Sequence, residues 1–294
     1  MKQLPRRPIL VLVALICIFS LISTSIGIFS TGGTGSYPFE TIRGKTVIIY
    51  GEGLYRHMSA EVAPQGIAQD HITLFAGIPL LIISLISALK GSLRGKYLLA
   101  GATAYFFVTY LFYTVMAMYN SLFLVYVMLM GLSFFSLVLI IISFDLNHLK
   151  ENFNASTPVK FTGGFLIFIS LSIAFLWLSI VVPPLLNGTI IPVEVEHYTT
   201  LIVQGLDLGI LLPAAFISGA LLRKKRPSGY LLAPVYFVFL SLLMTALTAK
   251  IIAMRILGFN VIPAIFIIPL FNVMVIYSTI ILLKNINPNT KTIS

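Results

Sequence analysis

The chain has 294 residues, 58% of them hydrophobic and 10% charged, with a mean hydropathy of +1.01. Those proportions exclude an ordinary soluble domain and point to a polytopic membrane protein whose partner is the lipid bilayer. The net charge of +10 is spread over separate short loops without interleaved aromatics, which argues against nucleic acid and for orientation signals with some attraction to anionic lipid.

MKQLPRR leads into an apolar run over 8–30. It is too long for a signal-peptide core and lacks a clean small-residue cleavage site, so it is expected to be the first span, entering from the cytoplasm. Cys17 lies in this run as the only cysteine, so neither a disulfide framework nor a structural thiolate metal site is available. Residues 31–71 form the largest polar segment and are expected outside. Within it TVIIYGEGLYRH predicts two short strands turning at Gly51 to Gly53.

Further spans are expected over 72–89, 97–119, 122–143, 161–182, 198–222, 230–257 and 261–283. Basic residues mark one side of them: Lys2, Arg6, Arg7, Lys90, Arg94, Lys96, Lys150, Lys160, Arg223 to Arg226, Lys284 and Lys291. Short basic loops resist translocation, so this side is read as cytoplasmic. The expected fold is an all-α integral membrane protein of the cell membrane, with eight helices and both termini in the cytoplasm.

An internal match follows once the spans are overlaid. GIPLLIISLISALKGSLRGKYLLAG from Gly77 is similar to GILLPAAFISGALLRKKRPSGYLLAP from Gly209, with Tyr97 matched to Tyr230. It predicts two parallel four-helix repeats, 1–160 and 161–294, related by an axis along the membrane normal.

The strings YGEGLYRH, DHITLFAGIPLLIIS, GSLRGKYLLAG and DLGILLPAAFISGALLRKKRPSGYLLAP resemble a family of prokaryotic multi-pass membrane proteins with no assigned activity, over roughly 47–254. The resemblance supports the spans and transfers no functional residue.

Asp207 and Lys250 fall inside expected spans, where ionisable groups are costly and mark function by default. At 1.5 Å per residue both sit roughly 10 to 13 Å deep, so the expectation is a side-by-side pair. It would act as a proton or ion relay, a substrate anchor, or a clamp between two helices. Asp70 is expected at the outer mouth of the bundle. Tyr105, Thr109, Tyr113, Met116 and Asn120 repeat at helical spacing, so their polar groups either line a cavity or bond between helices. On the outer side His57, Glu61, His71 and His197 are candidate metal ligands, His57 and Glu61 being one helical turn apart, although no HExxH motif is present.

P-loop, Rossmann and serine-elbow patterns are missing, which leaves no support for nucleotide-driven or standard hydrolase chemistry and names no cofactor. The expected function is transporter-like handling of a small solute or ion. The alternatives are a membrane enzyme with an outward acid/base or metal site, and a non-catalytic accessory or sensor protein.

Overall fold

The computed structural model describes residues 4–287; Lys2 and Lys291, assigned above to the basic side, lie outside the described residues. Among the described residues eight helices are long and apolar enough to cross a membrane: Arg6–Phe29, Ala63–Leu89, Leu93–Val115, Phe123–Ile142, Val159–Leu186, Ile202–Arg223, Pro227–Ile256 and Ala264–Lys284. The protein is an all-α, multi-pass membrane protein.

The elements are α1 (Arg6–Phe29), α2 (Ala63–Ile72), α3 (Ile78–Leu89), α4 (Leu93–Val115), α5 (Phe123–Ile142), α6 (Val159–Leu186), α7 (Ile202–Leu206), α8 (Leu212–Arg223), α9 (Pro227–Ile256) and α10 (Ala264–Lys284). Two spans are composite. A π turn over Thr73–Gly77 joins α2 to α3, and another over Asp207–Leu211 joins α7 to α8. In each the backbone bond reaches five residues back, from Ile78 N–H to Thr73 C=O and from Leu212 N–H to Asp207 C=O. Pro79 and Pro213 follow directly, inside the continuous spans, where a residue without an N–H leaves a carbonyl of the preceding turn without its helical bond.

Burial separates the helices into two kinds. In α4 and α9, 67% and 61% of the apolar window is buried, against 22% to 33% in the other six spans, so these two form the centre. Gly101 brings them together, because a Cβ there would run into the Val238 side chain and the Val235 carbonyl. α3 and α5 flank α4, while α2, α8 and α10 flank α9. α1 covers α2, α3 and α5, and α6 lies on α8. Apolar side chains such as Phe175, Leu186 and Phe266 point outward from the peripheral helices, as lipid-facing surface requires.

At one end, the basic end, the two interhelical turns are built alike. Lys90, Gly91 and Ser92 donate to the carbonyls of Ile86, Ala88 and Ser87, and Lys224, Lys225 and Arg226 donate in the same order to Ala220, Leu222 and Leu221. Gly91 and Lys225 both have positive φ, and Gly95 and Gly229 both press on the preceding helix where a Cβ would not fit. Lys96, read above as an orientation signal, is 2% exposed. Its ammonium donates to the Ser143 carbonyl at 2.8 Å, capping the end of α5, and lies 4.5 Å from the centre of the Phe144 ring. The Arg94 guanidinium donates to the carbonyls of Lys284 and Ile286 at 3.1 and 2.6 Å.

At the opposite end, the sheet end, a two-stranded antiparallel sheet pairs β1 (Tyr37–Glu40) with β2 (Thr46–Ile49), Tyr37 opposite Ile49. The second strand expected after Gly53 does not form, although the chain does reverse there, with the N–H groups of Tyr50, Gly51 and Ala60 donating to the carbonyls of Met58, Arg56 and Ile48. The turn between β1 and β2 lies at residues 41–45, where Gly44 takes φ +71°. Gly51 and Gly53 serve close backbone approach, to Gly35 and Ser30 respectively. The 31–62 segment is tied to the 188–201 loop. Arg43 donates to the carbonyls of Glu196 and Tyr198, both at 3.2 Å, and the Ser59 N–H donates to the Tyr198 hydroxyl at 3.2 Å. Burial pushes the Tyr198 hydroxyl up to about 12.

The second span begins at Ala63, nine residues before the expected start at Ile72. Gln65, Gly66, Gln69, Asp70 and His71 look like loop residues, yet Pro64 starts a helix and α2 packs on α1 and α9. Asp70 is therefore a group inside a span, not a loop residue at its mouth.

Candidate functional site

Asp70 is 1% exposed. Its carboxylate lies against α1 at Gly27, where a Cβ would collide with it. Two tyrosines donate to it, Tyr55 to Oδ2 at 2.6 Å and Tyr113 to Oδ1 at 3.0 Å; Tyr113 shares its proton with the Gly66 carbonyl, also at 3.0 Å. Burial, then the neighbouring Asp70 carboxylate, holds the Tyr55 hydroxyl well above the usual phenol range, so Tyr55 stays a donor.

The helical stripe on α4 supplies the rest of this network. Gln69 Nε2 donates to the Tyr105 hydroxyl at 2.8 Å and to Thr109 Oγ1 at 3.3 Å, and Tyr105 also meets Thr73 Oγ1 at 2.8 Å. Of the two roles open to that stripe, bonding between helices is the one seen, for Tyr105, Thr109 and Tyr113. Spacing four residues apart brings all three to the same face, opposite α2. A central-helix tyrosine also meets each π turn: Tyr105 at Thr73, and Tyr236 at the Leu211 carbonyl, 2.8 Å away.

Asp207 begins the second π turn. Its Oδ2 accepts from the Trp177 indole N–H of α6 at 2.8 Å. Lys250, on α9, is within electrostatic reach of both Asp70 and Asp207. Among the described residues it forms a direct ion pair with neither, the one close pair being His148 with Asp145. The expected contact pair is thus corrected to a lysine that is coupled to both carboxylates through space and in contact with neither. The indole N–H takes the place next to Asp207 that the sequence reading gave to the ammonium.

The candidate metal ligands do not converge. His57 and Glu61 are not on a helical turn; an isolated bridge pairs Ser59 with Ile49 between them. His197 Nε2 lies 3.0 Å from the His57 carbonyl, and the His71 Nδ1 bonds the Ile67 carbonyl of its own helix at 2.9 Å. Glu61 faces Glu194 and Glu196; burial first, then those two charges, hold its carboxyl above the usual range. Among the described residues no three His, Cys, Asp or Glu side chains are placed to share a metal ion.

Sequence reasoning missed Ser23, Tyr55, Gln69, Tyr110, Tyr126 and Trp177 as members of this region. A signal existed for two of them: Gly27 breaks an otherwise bulky span one turn after Ser23, and Trp177 is the single tryptophan of the chain.

The geometry defines a multi-pass membrane protein with a buried, tyrosine-bonded Asp70 and a half-buried Asp207 and Lys250 near the sheet end. No protein-family model, curated protein or solved structure matches the chain.

Proposed function

We propose that the protein is a carrier of the cell membrane that handles a small solute or ion at the site formed by Asp70, Tyr113, Asp207 and Lys250, with both termini in the cytoplasm. One observation carries this reading: a lysine of a central helix is within electrostatic reach of two intramembrane carboxylates and, among the described residues, closes an ion pair with neither. Charges at such depth are costly, and a purely structural pair would close its ion pair to offset that cost. Each carboxylate is on, or within three residues of, a π turn, a local widening found most often at functional sites.

The proposed carrier consists of two parallel repeats, 1–160 and 161–294. The matching hydrogen bonds of the two basic-end turns support this, as do the paired π turns with Pro79 and Pro213 behind them. In that correspondence Thr73 pairs with Asp207 and Gly95 with Gly229, a register one to two residues from the sequence match.

The test is charge displacement in proteoliposomes on a solid-supported membrane, stepping pH, sodium, potassium, or a panel of amino acids and amines. Wild type is expected to give a saturable transient with at least one step. The folded double replacement Asp207→Asn with Lys250→Met is expected to abolish it. Wild type silent to every step, or a double variant with a full response, would overturn the carrier reading.

A further inference from the structure

Near Asp70 lie three buried hydroxyls that close no hydrogen bond of regular geometry, even with one another. Ser23 of α1, Tyr110 of α4 and Tyr126 of α5 are 0%, 0% and 1% exposed. Their hydroxyl oxygens are buried without a hydrogen-bond partner. The three belong together: Tyr110 and Tyr126 stack at 6.1 Å, and each lies against Tyr113, at 5.9 and 5.3 Å between ring centres. Both hydroxyls lie close to Ser23 Oγ and within electrostatic reach of Asp70. A buried hydroxyl left unpaired costs about 1 to 3 kcal/mol, so three of them around one carboxylate call for an occupant.

We infer that the enclosure of Ser23, Asp70, Tyr110 and Tyr126 binds a small monovalent metal cation of lithium or sodium size. This deepens the carrier reading and rests on it for its role, though not for its test. The chemistry of the donors selects the class. Tyr55 and Tyr113 each take one lone pair of the Asp70 oxygens, and a carboxylate oxygen has another to give. Each of these hydroxyls can turn a lone pair toward an ion. One formal negative charge with neutral oxygens matches a monovalent ion, whereas calcium and magnesium sites draw on more carboxylates or on phosphates. The electron-rich ring faces of the tyrosines add to the attraction. Lys250 does not fill the place, because its ammonium bonds neither Asp70 oxygen.

Two measurements on the detergent-purified full chain test the inference. One is binding of radioactive sodium by equilibrium dialysis. The other is thermal unfolding, read by tryptophan fluorescence, in sodium, lithium, potassium or choline chloride at fixed ionic strength. Wild type is expected to bind about one sodium per chain and to be stabilised saturably by sodium or lithium and not by choline. Tyr126→Phe and Ser23→Ala are expected to weaken the affinity roughly tenfold each, equivalent to about 1.4 kcal/mol, and Asp70→Asn to remove it. Should Asp70→Asn fail to fold, the Tyr126 and Ser23 variants decide alone. Folded wild type with no sodium binding, which would mean that the hydroxyls hold water only, overturns the inference; so does undiminished affinity in the variants. Sodium binding without charge displacement in liposomes would keep this site and remove the carrier. Displacement without sodium binding would do the reverse.

Discussion

Gly27 fixes how Asp70 is held. Any side chain there would meet the carboxylate, so the polar cluster depends on one missing methyl group of α1. Gly27→Ala is predicted to destabilise the protein by about 1 to 3 kcal/mol through overpacking, measured by denaturant titration in mixed micelles. Adding Asp70→Ala should return part of that loss, since neighbouring changes that share one clash are not additive. Trp177 plays a complementary part for Asp207. Trp177→Phe removes the indole donor and should cost about 1.5 kcal/mol or more, the low end for a bond to a charged group because the site is only part-buried. The double replacement with Asp207→Leu should lie closer to wild type, because it leaves no polar group stranded.

The helices were legible in the sequence because long apolar runs have few other solutions in lipid, and each of the eight expected spans has its counterpart. Less legible were the first two and a half turns of the second span. Gln69 and Asp70 meet Tyr55, Tyr105, Thr109 and Tyr113 rather than lipid, and their polarity made hydropathy place residues 63–71 in a loop. Asp207 and Lys250 were legible as charges out of place, but the partner of Asp207 was not, since Trp177 is 30 residues away, just as Tyr55 is 15 residues from Asp70. The reversal at Gly51 was legible, while the pairing of the preceding strand with Tyr37–Glu40 was not, and the two glycines serve both the turn and close backbone contact. The docking of the 31–62 segment on the 188–201 loop carries a pH dependence of definite sign. Glu61 has its carboxyl raised in the folded protein by burial and by Glu196 and Glu194. The docked form therefore holds its proton more tightly, and docking is strongest at low pH and weakens as pH rises through the folded value. Hydrogen exchange at the Ser59 amide, corrected for intrinsic rates, should accelerate over that range, and Glu61→Gln should flatten the profile.

At the scale of the whole molecule, the bundle is a central pair, α4 and α9, in a jacket of six peripheral spans, with the charges of its two ends doing different structural work. Lys96 and Arg94 close helix and loop carbonyls at the basic end, while Arg43 ties two loops together at the sheet end. Cysteines introduced at Gly51 and at Ser228, with Cys17 removed, are predicted to react with impermeant maleimides from opposite sides of the membrane, Ser228 from the cytoplasm. Reaction of both from one side would refute the odd number of crossings, five, that lies between them. The π turns have a consequence for how this chain can change. Each accommodates one residue beyond what a regular helix of the same rise needs, so it sets angular phase rather than depth. Deleting one residue from Thr73–Gly77 would leave the hydropathy profile almost untouched, yet swing α2 by about 100° about its axis relative to α3. The direction in which Asp70 looks is thus governed by a single residue of chain length several positions away, and a one-codon deletion could re-aim the carboxylate without altering any residue that touches it.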